Sequence, residues 1–269
     1  MAISTTLPFE QVQHEQVHDR KIIEVKDVAL HYSPKQAPIL QNIQFNLHHN
    51  EFVCVLGPSG CGKSSLLNII AGFQKASLGG VFLNGQPYAK PNADVGVVFQ
   101  HHNLFPWMTI KNNVGFGLKM KGISREKREK IVTHYLQLVD LQSSGNLLPH
   151  QLSGGMKQRA AIARTLAADP QAVLMDEPFS ALDALTREKM QHHLLSIWQK
   201  TKKSIFFITH DVDEALLLGT RILVMQPSPG RITIDFKNPL KRNLEDPVDF
   251  KTEKFQELRT YLIDSIKKS

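Results

Sequence analysis

The stretch that decides the fold is GPSGCGKSSLLNIIAG, residues 57–72, which follows the apolar run EFVCVL at 51–56. Gly57, Gly62, Lys63 and Ser64 fit the pattern G-x-x-x-x-G-K-[ST], with a strand expected before it and a helix after it. Glycines let the backbone curl until successive N–H groups face one anion, and the start of a helix adds partial positive charge. Gly57, Pro58, Ser59, Gly60, Cys61, Gly62, Lys63, Ser64 and Ser65 therefore form a candidate cradle for the phosphates of a nucleotide. Lys63 is expected to reach the β- and γ-phosphates, and the Ser64 hydroxyl to bind Mg2+.

Outward from this loop, apolar runs bounded by turns predict strands at 22–32, 51–56, 81–84, 95–99, 172–175, 205–209, 222–225 and 231–236. Helical spacing fits the segments after 63 and at 124–139, 153–168, 184–201 and 212–218, with Met156, Ala160, Ala163 and Ala167 on one stripe. Continuous rather than alternating apolar strands between helices imply an α/β fold whose parallel sheet is covered on both faces. Residues 101–160 break the rhythm and read as an inserted helical subdomain. Phe255, Leu258, Leu262 and Ile266 are spaced as a helix that packs on the core.

Ligands of open parallel sheets bind beyond the carboxyl ends of the strands. The run VGVVF is followed there by Gln100, AVLM by Asp176 and Glu177, and IFFIT by His210. All four are expected to converge on the edge where the glycine loop begins. Asp176 can orient a Mg2+ shell, Glu177 can accept a proton from an attacking water, His210 can contact a γ-phosphate, and Gln100 can touch both water and metal. Taken singly, Gln100 and His210 also suit capping or exposed positions.

A second glycine turn, QLSGGMKQRAAIARTLA at 151–167, offers a second anion site: Ser153 reads as a helix N-cap, beside free N–H groups at Gly154 and Gly155. One chain can hardly fold both glycine turns onto one phosphate.

Composition sets the outer limits. The chain has 269 residues, 42% of them apolar, enough for a full core. The longest apolar stretches are interrupted well before the roughly 18 residues of a membrane helix. The amino terminus lacks a basic region followed by an apolar run, so the protein is expected to remain in the cytosol. Cys54 and Cys61 read as reduced thiols. The adjacent pairs His101-His102 and His192-His193 lack metal-ligand spacing and are expected at the surface, with no structural metal. Most of the formal charge of +7 lies in 111–130, where seven Lys/Arg face two Glu. A solvated helix face is the preferred reading, an anionic membrane surface or partner its rival, and nucleic acid comes third.

The pieces GPSGCGKSS, Gln100, LSGGMKQR, AVLMDEP, SALD and His210, in that order, resemble the ATPase subunits of ABC transporters, over nearly the whole chain from residue 21. The resemblance implies a P-loop core with a mainly parallel sheet, an N-terminal antiparallel β part and the inserted helical subdomain. It divides the chain into a flexible tail at 1–20, an ATPase domain at 21–236 and a C-terminal helical extension at 237–269. It also implies ATP and Mg2+ as ligands and a head-to-tail homodimer. Ser153, Gly154 and Gly155 of one copy would close over the ATP held by the other, and Asp183 would lie near the opposite site. Tyr32 matches the aromatic residue that stacks on adenine. Met156 stands where many members carry Gln, after the glycines.

A finer similarity, to the importer ATPases for taurine, aliphatic sulfonates and nitrate, rests on LFPW (104–107), DEPFSALDALTRE, THDVDEAL and SPGRI, with the taurine importers nearest. It implies transmembrane permease subunits as partners, a solute-binding protein acting indirectly, and residence on the cytoplasmic face of the cell membrane. Phe105 and Trp107 would help form the groove for a permease helix, unless they serve the subdomain's own core. An importer for nitrate or another solute, or an exporter, would use the same chemistry. A soluble ABC ATPase acting on nucleic acid would carry a long insertion or a second ATPase domain, and a small-molecule kinase would lack the LSGG turn.

Overall fold

The computed structural model describes residues 20–33, 37–240 and 250–267. The tail expected at 1–20 lies outside the described residues except for Arg20.

The chain begins with strands β1 (Lys21–Leu30), β2 (Leu40–His48) and β3 (Phe52–Leu56), then helix α1 (Lys63–Ile70) and strands β4 (Leu78–Leu83), β5 (Gln86–Tyr88) and β6 (Val95–Val98). Helices α2 (Ile110–Met120), α3 (Arg125–Leu138) and α4 (Gly154–Ala167) follow. The core then resumes with β7 (Ala172–Asp176), α5 (Ala184–Thr201), β8 (Ser204–Thr209), α6 (Val212–Leu218), β9 (Arg221–Gln226) and β10 (Arg231–Lys237), before α7 (Glu253–Lys267).

Two sheets form. The larger runs β10-β9-β3-β8-β7-β6, and its pairings from β9 to β6 are all parallel. Every residue of β3 and β8 is buried, because helices α2 to α7 cover one face of the sheet while α1 and the smaller sheet cover the other. Along β3, Phe52, Cys54 and Leu56 join one apolar core while Val53 and Val55 join the other. The first core lies under α2 to α7, and the second lies between the large sheet and the smaller one. That smaller sheet, β2-β1-β4-β5, is antiparallel throughout.

Beyond the short β5, which no expected strand covers, three elements differ from the sequence-based expectation. β10 is antiparallel to β9, and its residues alternate between exposed and half-buried, as suits an edge strand. β2 went unread because its alternation is broken: Asn42 sits in the left-handed region at φ 51°, where the pairing with β1 shifts register, so Leu40 and Ile43 both point inward. Within the span expected to be helical, α2 was not separately read, since Gly115 and Gly117 weaken its helical signal. Thr109 caps it, accepting from the Asn112 amide.

The expected basic segment lies on α2 and α3. There Arg125 pairs with Glu129 and Lys130 with Glu126 on exposed turns, the pattern of a solvated helix. The C-terminal helix forms where its spacing predicts, and Phe255, Leu258 and Leu262 are buried. Both cysteines are free thiols.

Candidate functional site

The glycine loop leaves β3 at Leu56 and enters α1 at Lys63. Gly62 heads the helix at φ 95°, and a side chain there would also strike Leu40. Gly57 passes so close to the Met225 carbonyl that no Cβ fits. The loop is thus gripped from β2 and β9. Lys63 is buried, and its ammonium donates to the carbonyls of Gly57 at 2.8 Å and Pro58 at 3.0 Å, with Glu177 Oε1 at 3.9 Å. Burial pushes the Cys61 thiol up, so it is a poor nucleophile in this loop.

The parallel register brings the other groups to the same edge: Leu56 aligns with Thr209, and Asp176 with Ile208. Ser64 Oγ donates to Asp176 Oδ1 at 3.2 Å, joining α1 to the end of β7. Burial raises the Asp176 carboxyl above its ordinary range, opposed by the Ser64 hydrogen bond. At Glu177 the backbone turns left-handed, φ 42°, which redirects the side chain while its N–H still donates to Ile208. Glu177 Oε2 meets His210 Nδ1 at 2.9 Å. Gln100 lies on the same edge, but its amide donates to Ser180 Oγ at 3.2 Å, and Ser180 in turn donates to the Glu177 carbonyl. Ser180, part of the SALD piece but given no role of its own in the sequence, stands three residues after Glu177 in the turn that follows β7.

The structure therefore brings together Lys63, Ser64, Asp176, Glu177 and His210, with Gln100 joined through Ser180. Among the described residues, no hydrogen bond or ion pair joins Tyr32, Ser153, Gly154, Gly155 or Asp183 to the glycine loop. Tyr32 is 66% exposed, on the loop after β1. Ser153 caps α4, accepting from the Met156 amide at 3.3 Å. Asp183 caps α5 in the same way, through the Thr186 amide at 3.0 Å. A Cβ on Gly155 would lie 2.9 Å from Thr186 Cγ2, so the two capped helix starts are neighbours. Trp107 is 73% exposed, while Phe105 is half-buried with its ring 4.6 Å from that of Phe116.

The ABC transporter family model matches residues 40–180, more than half the chain. This chain belongs to the ABC transporter ATP-binding family. It is an ATPase of the transport-coupled type, built on the ABC cassette fold. An uncharacterized ABC transporter ATP-binding protein of Methanocaldococcus jannaschii is 48% identical over 236 residues, 88% of this chain and 87% of that protein. The taurine import ATP-binding protein of Rhizobium johnstonii is 48% identical over 224 residues, 82% of this chain and 86% of its own. Among solved structures, a dimeric post-hydrolysis ATP-binding cassette bound to ADP and Pi superposes with a TM-score of 0.70 at 33% identity, covering 80% of this chain and 98% of that one. The cbiO1 ABC transporter subunit of Clostridium perfringens gives a TM-score of 0.75 at 26% identity, covering 82% and 90%. No helix among the described residues of this ABC ATPase is long and apolar enough to cross a membrane.

Proposed function

We propose that this ABC ATPase drives import of taurine or a related sulfonate, as a head-to-tail homodimer bound to a separate permease at the cytoplasmic face of the membrane. The observation that carries the ATPase mechanism is the cluster at the strand ends: Lys63 in the glycine loop, the Ser64–Asp176 pair, and Glu177 against His210. The solute reading is supported by relatives that carry taurine import in their names at 47–51% identity.

The glycine-loop amides and the Lys63 ammonium hold the phosphates of ATP. Ser64 and Asp176 present two oxygens at one point, the hard donor set that would hold Mg2+ beside the phosphates. Bound there, Mg2+ would neutralise phosphate charge. Glu177 takes the proton of the attacking water, and His210 holds the Glu177 carboxylate and contacts the γ-phosphate. Gln100 lies beside them, and the shared Ser180 lets it respond to the same phosphate.

Ser153, Gly154 and Gly155 make no hydrogen bond to the glycine loop of their own chain, and in this reading their amides serve the nucleotide of the second copy. Asp183, beside them, lies at the same interface. Tyr32 stacks on the adenine, a contact that needs only an exposed flat ring. The division into an ATPase domain at 21–236, with 101–160 as its helical arm, and an extension at 237–269 follows from this reading. Phe105 and Trp107 on the arm receive the permease, and a solute-binding protein delivers the solute to that permease.

The test is growth of the source organism with its own coding sequence disrupted. Failure to grow on taurine as sole sulfur source, with growth on sulfate intact, supports the reading. Unimpaired growth on taurine with loss of growth on nitrate would move the assignment to nitrate.

A further inference from the structure

A set of polar contacts between α5 and the His210 turn has no part in holding phosphate. Gln191, on α5, donates from Nε2 to Glu214 Oε1 at 3.0 Å, and both side chains are buried. Glu214 is also hydrogen-bonded to the Thr209 hydroxyl. Thr209 Oγ1 in turn accepts from the amide of Asp211 at 2.9 Å, which closes the backbone around His210. One helical turn before Gln191, on the same face of α5, Arg187 places Nη1 3.8 Å from Asp211 Oδ2 and donates from Nη2 to the Leu182 carbonyl at 3.1 Å. Asp211 itself caps α6, accepting from the amides of Asp213 and Glu214. Arg187, Thr209 and Asp211 line one cleft with Glu177, Ser180 and His210.

A buried amide–carboxyl pair adds little stability over an apolar pair of the same shape, so packing alone gives no reason for it. A directional bond fixes register, however, and this one fixes α5 against the residue before His210. α5 begins at Asp183, next to the Ser153 turn.

We infer that Gln191 and Arg187 are positioning residues: two rungs, Gln191–Glu214 and Arg187–Asp211, tie the helix headed by Asp183 to the turn that holds His210 against Glu177. Pressure from a second copy on the Asp183 turn then reaches His210 through α5. This deepens the proposed mechanism and rests on its roles for Glu177 and His210.

The test reverses the polarity of one rung. In the full chain, Gln191→Glu sets two carboxyls against each other in a buried site. The exchange Gln191→Glu with Glu214→Gln restores one donor and one acceptor. The expected result is a kcat for Mg-ATP hydrolysis about tenfold lower in Gln191→Glu, the scale of a small misplacement at an active site, with KM within about twofold. ATP-dependent dimerisation in a Glu177→Gln background stays unchanged, and the exchange returns kcat to within about twofold of the natural chain. If Gln191→Glu does not fold, Gln191→Met, which keeps the size and removes the donor, must show the same split. An unchanged kcat, no recovery in the exchange, or a KM that rises and a dimerisation that weakens along with kcat would overturn the inference. His210→Ala, measured in parallel, separates the two levels. Activity retained there refutes the role of His210 itself, whereas activity lost there with Gln191→Glu silent refutes only the rungs.

Discussion

His210 Nδ1 stands 2.9 Å from Glu177 Oε2, so the residues that follow β8 and β7 are already joined at the edge where the glycine loop begins. Glu177 is the candidate base, and a base of this kind contributes about 10²–10⁴ to the rate. Glu177→Gln should lower kcat by at least about 10² while ATP still binds. Steady-state hydrolysis and a fluorescent-nucleotide titration check the two halves separately.

Gly62 is held at φ 95° with Leu40 against it. Gly62→Ala should cost about 1–3 kcal/mol of stability, the range for a residue forced into a rare backbone conformation. It should also weaken ATP binding, because the loop amides lose their alignment. Thermal melting with and without ATP measures both, and a variant as stable as the natural chain would speak against the strain.

Ser153 accepts from the Met156 amide and makes no hydrogen bond to the glycine loop of its own chain. Ser153→Ala should cost about 1 kcal/mol as a lost cap. ATP binding to the monomer should be unchanged and hydrolysis should fall by about 10²–10³, the scale of one lost oxyanion-type donor. Equal loss of binding and hydrolysis would place Ser153 in its own chain's site instead.

How much of this site the sequence disclosed follows from the physics of each signal. Asp176, Glu177 and His210 were legible because a polar residue that ends an apolar strand falls on the ligand edge of a parallel sheet. Gln100 was placed on the right edge, but its bond to Ser180 joins residues 80 apart in sequence, and periodicity carries no such information. The Gln191–Glu214 pair is hidden for the same reason, as two polar residues on helices that look amphipathic on their own. Strand direction is equally silent: the alternation of β10 reveals an edge and not its antiparallel sense. In β2 the left-handed Asn42 broke the period on which the reading depends.

Away from the site, Arg221 links β9 to its neighbours through Glu51, Asp235 and the Asn46 carbonyl. Burial alone would raise the Glu51 carboxyl, but the hydrogen bonds from His48 and the charge of Arg221 hold it below its ordinary 4.5. A carboxyl lowered by folding stabilises the fold above the unfolded value, and that contribution is lost as pH falls through the lower, folded value. Glu51→Gln should therefore be less stable than the natural chain by about 2 kcal/mol at pH 7, the scale of hydrogen bonds to a charged group. The difference should shrink progressively as pH falls below the ordinary 4.5, where the unfolded carboxyl takes up its proton first and the folded one follows at lower pH. Urea unfolding at pH 7 and pH 3.5 measures it, and a constant difference across that range would contradict the assignment.

If the LSGG turn of one copy closes over the ATP of another, light scattering on Glu177→Gln will find a monomer without nucleotide, a dimer with Mg-ATP, and a monomer again when Ser153→Ala is added. A monomer in both conditions, with ATP bound, would contradict that closure.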